Sequence, residues 1–187
     1  MAFRFSALTI PDVLLVETDR HPDHRGYFEE TFEVEVFTKR LGVNFVQDNM
    51  ARSGHNVLRG IHFQNDPAAQ GKLVRAVNGS IFDVAVDLRR SSETFGRWTG
   101  ATLSDENGHQ MWIPAGFGHG YLVLSDAADV AYKVTAGYAP ASDAGIRWND
   151  PTINIAWPAV DPVLSEKDIT LPLLARGLVE SSQGAAR

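Results

Sequence analysis

What most constrains the fold of this 187-residue chain is a succession of short, β-branched apolar runs, each closed by a turn residue. The segment KLVRAVNGSIFDVAVDL shows the pattern best. Asn78-Gly79 has the composition of a tight hairpin turn between two such runs. In the second run Phe82, Val84, Val86 and Leu88 alternate onto one face, and Asp83 and Asp87 onto the other. Further strands are expected at Asn44–Asn49, Val57–Gln64, Gln110–Ile113, Gly120–Leu124, Val130–Thr135 and Ile153–Ala156. The one clear early helix is EVEVFTKRLG, with Gly42 in the place of a helix C-cap. The fold class is therefore all-β: an antiparallel barrel or jelly roll with a few short helices, not an α/β sheet.

The length suits a single domain over residues 1–187, with a flexible tail expected from about residue 180, where ESSQGAAR offers no apolar anchor. A formal charge of −6 argues against nucleic acid as a partner, since that affinity rests on clustered Lys and Arg. The absence of cysteine excludes disulfides, thiolate metal sites and a cysteine nucleophile. No run approaches the roughly 18 apolar residues that cross a bilayer, and the first residues do not read as a signal peptide. No membrane association and a cytoplasmic location are expected.

Among six histidines, His21, His24, His55 and His109 sit in polar, turn-like surroundings that suit solvated loop residues. His62 and His119 lie within apolar strand-like segments, where an imidazole requires hydrogen-bond partners. On its residues alone, His62 in VLRGIHFQ reads equally as a satisfied core histidine or a working base. Regular alternation groups Gly60, His62 and Gln64 on one face, and Arg59, Ile61 and Phe63 on the other.

In GHQMWIPAGFGHGYLVL, Gly108 is followed after five residues by Pro114, after one more by Gly116, and after two more by His119. This spacing resembles the second motif of the cupins, a superfamily of small antiparallel β-barrels. The first cupin motif brings His-x-His, and a Glu seven residues before a Gly, as metal ligands. Here Gly60 and His62 stand for the histidine pair, and Lys72 stands seven residues before Gly79. A divalent metal needs neutral or anionic donors, so a cation at Lys72 points to a pocket without metal, in which the lysine supplies positive charge. By itself, Lys72 reads better as a solvated strand-end lysine.

A closer resemblance runs through residues 10–172: DHRGYFEETF, FVQDN, VLRGIHFQ, GKLVRAVNGSIFDVAVDLR, SSETFG, IPAGFGHGYLVLSD, AYK, GIRWNDPTINIAWP and LSEKD, in order. Together these resemble the dTDP-4-dehydrorhamnose 3,5-epimerase family. The resemblance implies a cofactor-free homodimer that inverts C3 and C5 of a dTDP-4-keto-6-deoxyhexose. It assigns His62 as the base, Asp168 as its orienting carboxylate, Tyr132 as the acid on the opposite face and Lys72 as stabiliser of the C4 oxyanion. Arg25, Glu30, Gln47, Asp48, Asn49, Arg59, His119, Asp143 and Lys167 match substrate-contacting positions. Glu30, not Glu29, has the family's spacing from Arg25, and Asp143 stands where the family has Glu.

Strict alternation places Arg59 and His62 on opposite faces although both are assigned to one ligand. A bulge at Gly60, a strand that ends before Arg59, or service to a partner subunit's pocket would each remove the conflict. The other activities open to such a chain are single-carbon epimerisation, ketoisomerisation, and non-catalytic binding of a sugar nucleotide. The replacements at Gly60 and Lys72 disfavour a metal-dependent oxygenase.

Overall fold

The structure is a computed structural model that describes residues 3–158 and 161–174, so the expected flexible tail lies outside the described residues. The first strands are β1 (Arg4–Ala7), β2 (Leu14–Glu17), β3 (Arg20–Asp23) and β4 (Gly26–Glu29). Helix α1 (Val34–Leu41) precedes β5 (Gln47–Gly54), β6 (Leu58–Gln64), β7 (Lys72–Asn78) and β8 (Ser80–Asp87). Then come β9 (Trp98–Ser104), β10 (Gln110–Ile113), β11 (Phe117–Val123), β12 (Ala127–Val134), β13 (Asp143–Gly145) and the short α2 (Glu166–Thr170).

A six-stranded sheet in the order β1-β2-β10-β7-β12-β5 and a five-stranded sheet in the order β13-β6-β11-β8-β9 form the body, with β3 and β4 as a separate hairpin. Every pairing between these strands is antiparallel. One core cluster draws on both sheets, with Val74, Met111, Ile113 and Val130 from the larger and Ile81, Leu103, Phe117 and Val123 from the smaller. Their inner faces therefore pack on each other, as the jelly-roll reading requires.

Two local expectations change. Asn78-Gly79 is not a hairpin turn: β7 and β8 belong to different sheets, so the chain turns a corner between them. Gly79 has φ +75°, and a Cβ there would lie 2.1 Å from the Ala127 carbonyl oxygen, so the corner admits only glycine. Ile153–Ala156 forms no strand; the Asp150 carboxylate instead gathers the amides of Thr152, Ile153 and Leu174 at 2.7–3.0 Å. That cradle seats Ile153 and Leu174 against the outer face of the smaller sheet. Elsewhere β5 starts later and runs longer than its expected segment, and α1 ends on Gly42 in the left-handed conformation, as its sequence implies.

The alternation of β8 is as read, but the environments are inverted relative to a simple sheet. Val84, Val86 and Leu88 face outward yet are buried beneath Ile146, Ile153 and Leu174. Asp83 and Asp87 share the inner face with Ile81 and Ala85, and both are fully buried. Asp87 is satisfied by Arg89, Ser92 and Thr94. Asp83 is hydrogen-bonded to His119 on β11.

On the outer face of the larger sheet, α1 buries Phe37 against Phe3 and Phe32, each with ring centroids 4.9 Å away. Leu14, Val16, Leu73 and Trp112 complete this cluster. Truncating a fully buried Phe forfeits its transfer free energy and leaves a void. Phe37→Ala is therefore expected to cost about 3–5 kcal/mol of unfolding free energy, measurable as a lowered denaturant midpoint at constant slope.

Candidate active site

The site begins with an irregularity between β6 and β11. His62 pairs with His119 and Arg59 pairs with Tyr121, so two residues of β6, Gly60 and Ile61, lie opposite Gly120 alone. This is a bulge, and it removes the conflict between Arg59 and His62. His119 and Tyr121 are two apart on β11 and share a face, so the residues opposite them do as well. Gly60 has φ +123°, and a Cβ on it would lie 2.5 Å from Gly120 Cα. Glycine at both positions permits the two backbones to touch.

From this bulge His62 points into a cavity of about 430 Å³, and its Nε2–H donates to Asp168 Oδ1 at 2.6 Å. An ionised carboxylate only accepts, so Nε2 carries the proton and Nδ1 is left as the basic nitrogen. Asp168 is 2% exposed and lies in the first turn of α2, where its amide donates to Ser165 Oγ. Burial pushes its carboxyl up, but hydrogen bonds from His62, Ser165 and the Gly60 amide, with the His62 charge, hold it below the usual carboxylate range.

Lys72 enters from the opposite sheet at the start of β7. It is buried, and its ammonium donates to the His62 carbonyl at 3.4 Å. Burial pulls it down to about 8, against the opposing influence of the Asp83 and Asp143 charges. Tyr132 on β12 also lines the cavity. It stands between Val130 and Val134 on the inward face, as its sequence context implies. Burial raises its phenol, and the nearby Arg59 guanidinium opposes that shift. Arg59 itself donates to Ser53 Oγ at 2.9 Å.

Gln47, Asn49, Asp143 and Lys167 line the same cavity. Gln47 donates to Asn49 at 2.7 Å, and Lys167 is paired with Asp143 at 2.5 Å. His119 sits just behind, 7% exposed, with Nε2 hydrogen-bonded to Asp83 Oδ1 at 2.7 Å.

Three candidates do not meet the others. Asp48 points to the outer face of β5 and pairs with Lys133 at 2.9 Å, as alternation along a strand demands once Gln47 and Asn49 point inward. Arg25 sits at the tip of the β3–β4 hairpin and is paired with Asp23. Glu30 follows that hairpin and does not line the cavity of its own chain. The neighbouring Glu29 is fully engaged with Arg20 and Arg75, which accounts for its structural character.

The structure adds residues that the sequence reading passed over. Gln64 and Tyr138 line the cavity; Gln64 was discoverable as the next same-face residue after His62, whereas Tyr138 lies in a loop with no periodic signal. Asp83 and Tyr121 are buried polar groups on inward faces, a signal carried by alternation once the inner face is known. Among the described residues no group of three or more His, Cys, Asp or Glu is placed to hold a metal. No helix among them is long and apolar enough to cross a membrane.

The sequence pattern of the family described as dTDP-4-dehydrorhamnose 3,5-epimerase matches residues 7–176. The chain is similar to the dTDP-4-dehydrorhamnose 3,5-epimerase of Pseudomonas aeruginosa, 55% identical over 164 residues that cover 86% of this chain and 90% of that one. It is 54% identical over 162 residues to the enzyme of that description from Shigella flexneri, covering 86% and 90% of the two chains. Among solved structures, dTDP-6-deoxy-D-glucose-3,5-epimerase from Legionella pneumophila, in complex with dTDP-4-keto-L-rhamnose, superposes with a TM-score of 0.89. The two are 45% identical, over 93% of this chain and 94% of that one. By sequence and by fold, the chain belongs to the dTDP-4-dehydrorhamnose 3,5-epimerase family.

Proposed function

We propose that this chain inverts C3 and C5 of dTDP-4-dehydro-6-deoxy-D-glucose to give dTDP-4-dehydro-L-rhamnose. One observation carries the reading: His62 and Tyr132 line one cavity from opposite sheets. A ring held between them has a base on one face and an acid on the other, which is what inversion next to a ketone requires. His62 Nδ1 removes the proton from C3 or C5, the electron pair moves to the C4 oxygen, and the tyrosine hydroxyl returns a proton from the other side. Asp168 stabilises the imidazolium and holds its tautomer. Lys72 donates to the enolate oxygen, a contribution typically worth on the order of 3 kcal/mol.

Gln47, Asn49, His119, Asp143 and Lys167 bind the sugar nucleotide around this centre in the reading. Arg59 offers a guanidinium of the kind that pairs with a diphosphate. Arg25 and Glu30 act from a second copy of the chain. Support comes from the β3–β4 hairpin, which holds Tyr27 and Phe28 53% and 61% exposed beside Arg25. The outer face of the larger sheet also leaves Met50 and Val77 uncovered. A homodimer is the consequence, and sedimentation at micromolar concentration is expected to give twice the chain mass. Mixing His62→Ala with Arg25→Ala protein should restore activity that neither has alone.

Incubation with the substrate in deuterated water tests the chemistry. Deuterium is expected at both C3 and C5; label at one carbon would make the enzyme a single epimerase, and none would leave a binding protein. His62→Ala should abolish exchange at both carbons with the fold intact. Tyr132→Phe should keep washing deuterium in while losing inversion, because the base still forms the enolate.

The pH dependence follows from Lys72. Its ammonium is the active form, so the contribution is complete well below about 8 and is lost as pH rises through that value. The exchange rate of the wild type is expected to fall along an alkaline limb near pH 8, and Lys72→Gln should be slow at every pH without that limb.

A further inference from the structure

The barrel interior holds a second histidine–carboxylate pair that the acid–base chemistry above does not use. Asp83 is fully buried on β8 and is hydrogen-bonded to His119 Nε2 at 2.7 Å. Its second oxygen, Oδ2, is buried and has no hydrogen-bond partner among the described residues. His119 is the cross-strand neighbour of His62, and the Lys72 ammonium reaches the His62 carbonyl. Asp83, His119 and His62 therefore sit together on the smaller sheet, and Lys72 reaches them from the larger one.

A lone ammonium in such a place is costly, because burial strips its hydration and nothing in an apolar wall replaces it. The groups facing Lys72 are Asp83 on β8, His119 on β11, His62 on β6, Tyr132 on β12, Asp143 on β13 and Lys167 on α2. Of the two carboxylates in this set, Asp143 is already held by Lys167 at the partly exposed mouth. Asp83 alone is wholly buried with an oxygen left without a partner among the described residues. Burial pushes its carboxyl up, and the charge and hydrogen bond of His119, then the Lys72 ammonium, oppose that shift. Burial drives His119 toward the neutral form, against the pull of Asp83, and the Lys72 charge adds to that.

We propose that Asp83 is a positioning residue for the epimerisation: it fixes His119 with its proton on Nε2 and supplies the negative charge that keeps the buried Lys72 an ammonium. The inference rests on the enolate-stabilising role given to Lys72 above. Each cation that the reaction needs then has its own carboxylate: Asp168 for the imidazolium formed at His62, and Asp83 for Lys72. The neutral His119 presents Nδ1 as an acceptor, the form suited to a sugar hydroxyl.

Asp83→Asn tests this, since the amide keeps the shape and a hydrogen-bond acceptor for His119 while removing the charge. Deuterium exchange followed against pH is expected to show the alkaline limb moved down by about one pH unit or more, with the affinity for dTDP unchanged. A rate lowered equally at every pH, or a limb left in place, would overturn the proposal. Two NMR measurements stand apart from turnover. In 13C-lysine-labelled protein the midpoint of Lys72 itself should fall in the variant. In 15N-histidine-labelled wild type, His119 should be neutral at pH 7 with its proton on Nε2. In the folded variant an unmoved Lys72 midpoint would refute the inference. In the wild type an imidazolium at His119 or a proton on Nδ1 would refute it even if the variant failed to fold or no deuterium were exchanged.

Discussion

The contact between Gly60 and Gly120 is the constraint on which the site depends. Two backbones approach where any side chain would intrude, and β6 gains one residue relative to β11. That extra residue brings Arg59 onto the face that holds His62 and lets Ile61 seal the outer cluster with Val84 and Ile146. The Gly60 amide also supports Asp168, so one irregular residue influences both the direction of His62 and the ionisation of Asp168. A regular strand would have spent alternate residues on the wrong side of the sheet.

The second organising principle is charge balance in a place with little water. A jelly roll normally fills its interior with apolar side chains, and part of this one does so around Val74, Met111 and Phe117. The remainder holds Lys72, Asp83, His119 and Asp168, all nine-tenths or more buried. Such groups destabilise a fold when unpaired and set reactivity when paired. The fold compensates on its outer faces. Helix α1 covers the larger sheet with an aromatic cluster, and the segment held by Asp150 covers the smaller one. Apolar burial outside the sandwich is what permits a polar inner wall.

How much of this could be read from the chain depends on which physical signal was local. Alternation in the β8 run set apart Asp83 and Asp87, and Gly42 closed α1 as its composition required. The long motif matches join His62, Tyr132, Lys72 and Asp168 on the residues alone. Alternation could not say which face of β8 was interior, because both faces are buried and only the packing of Ile153 and Leu174 distinguishes them. Asn78-Gly79 misled for a related reason. A turn dipeptide reports the local backbone preference, whereas the choice between a hairpin and a corner is made by the partners of β7 and β8.

Strand periodicity and motif spacing are local and survive without a partner, so the all-β class, the family and the candidate residues are legible in the chain alone. Only the tertiary structure decided that Arg59 and His62 share a face, that Asp48 turns outward, and that Arg25 and Glu30 stand away from the cavity of their own chain. It also decided that Asp83 is buried beside His119. Register, burial and long-range pairing fix these points, and each depends on residues many positions away in the chain. The physical reason is that a side chain's chemistry is written in its own atoms, while its pKa, its direction and its neighbours are properties of the wall it is built into.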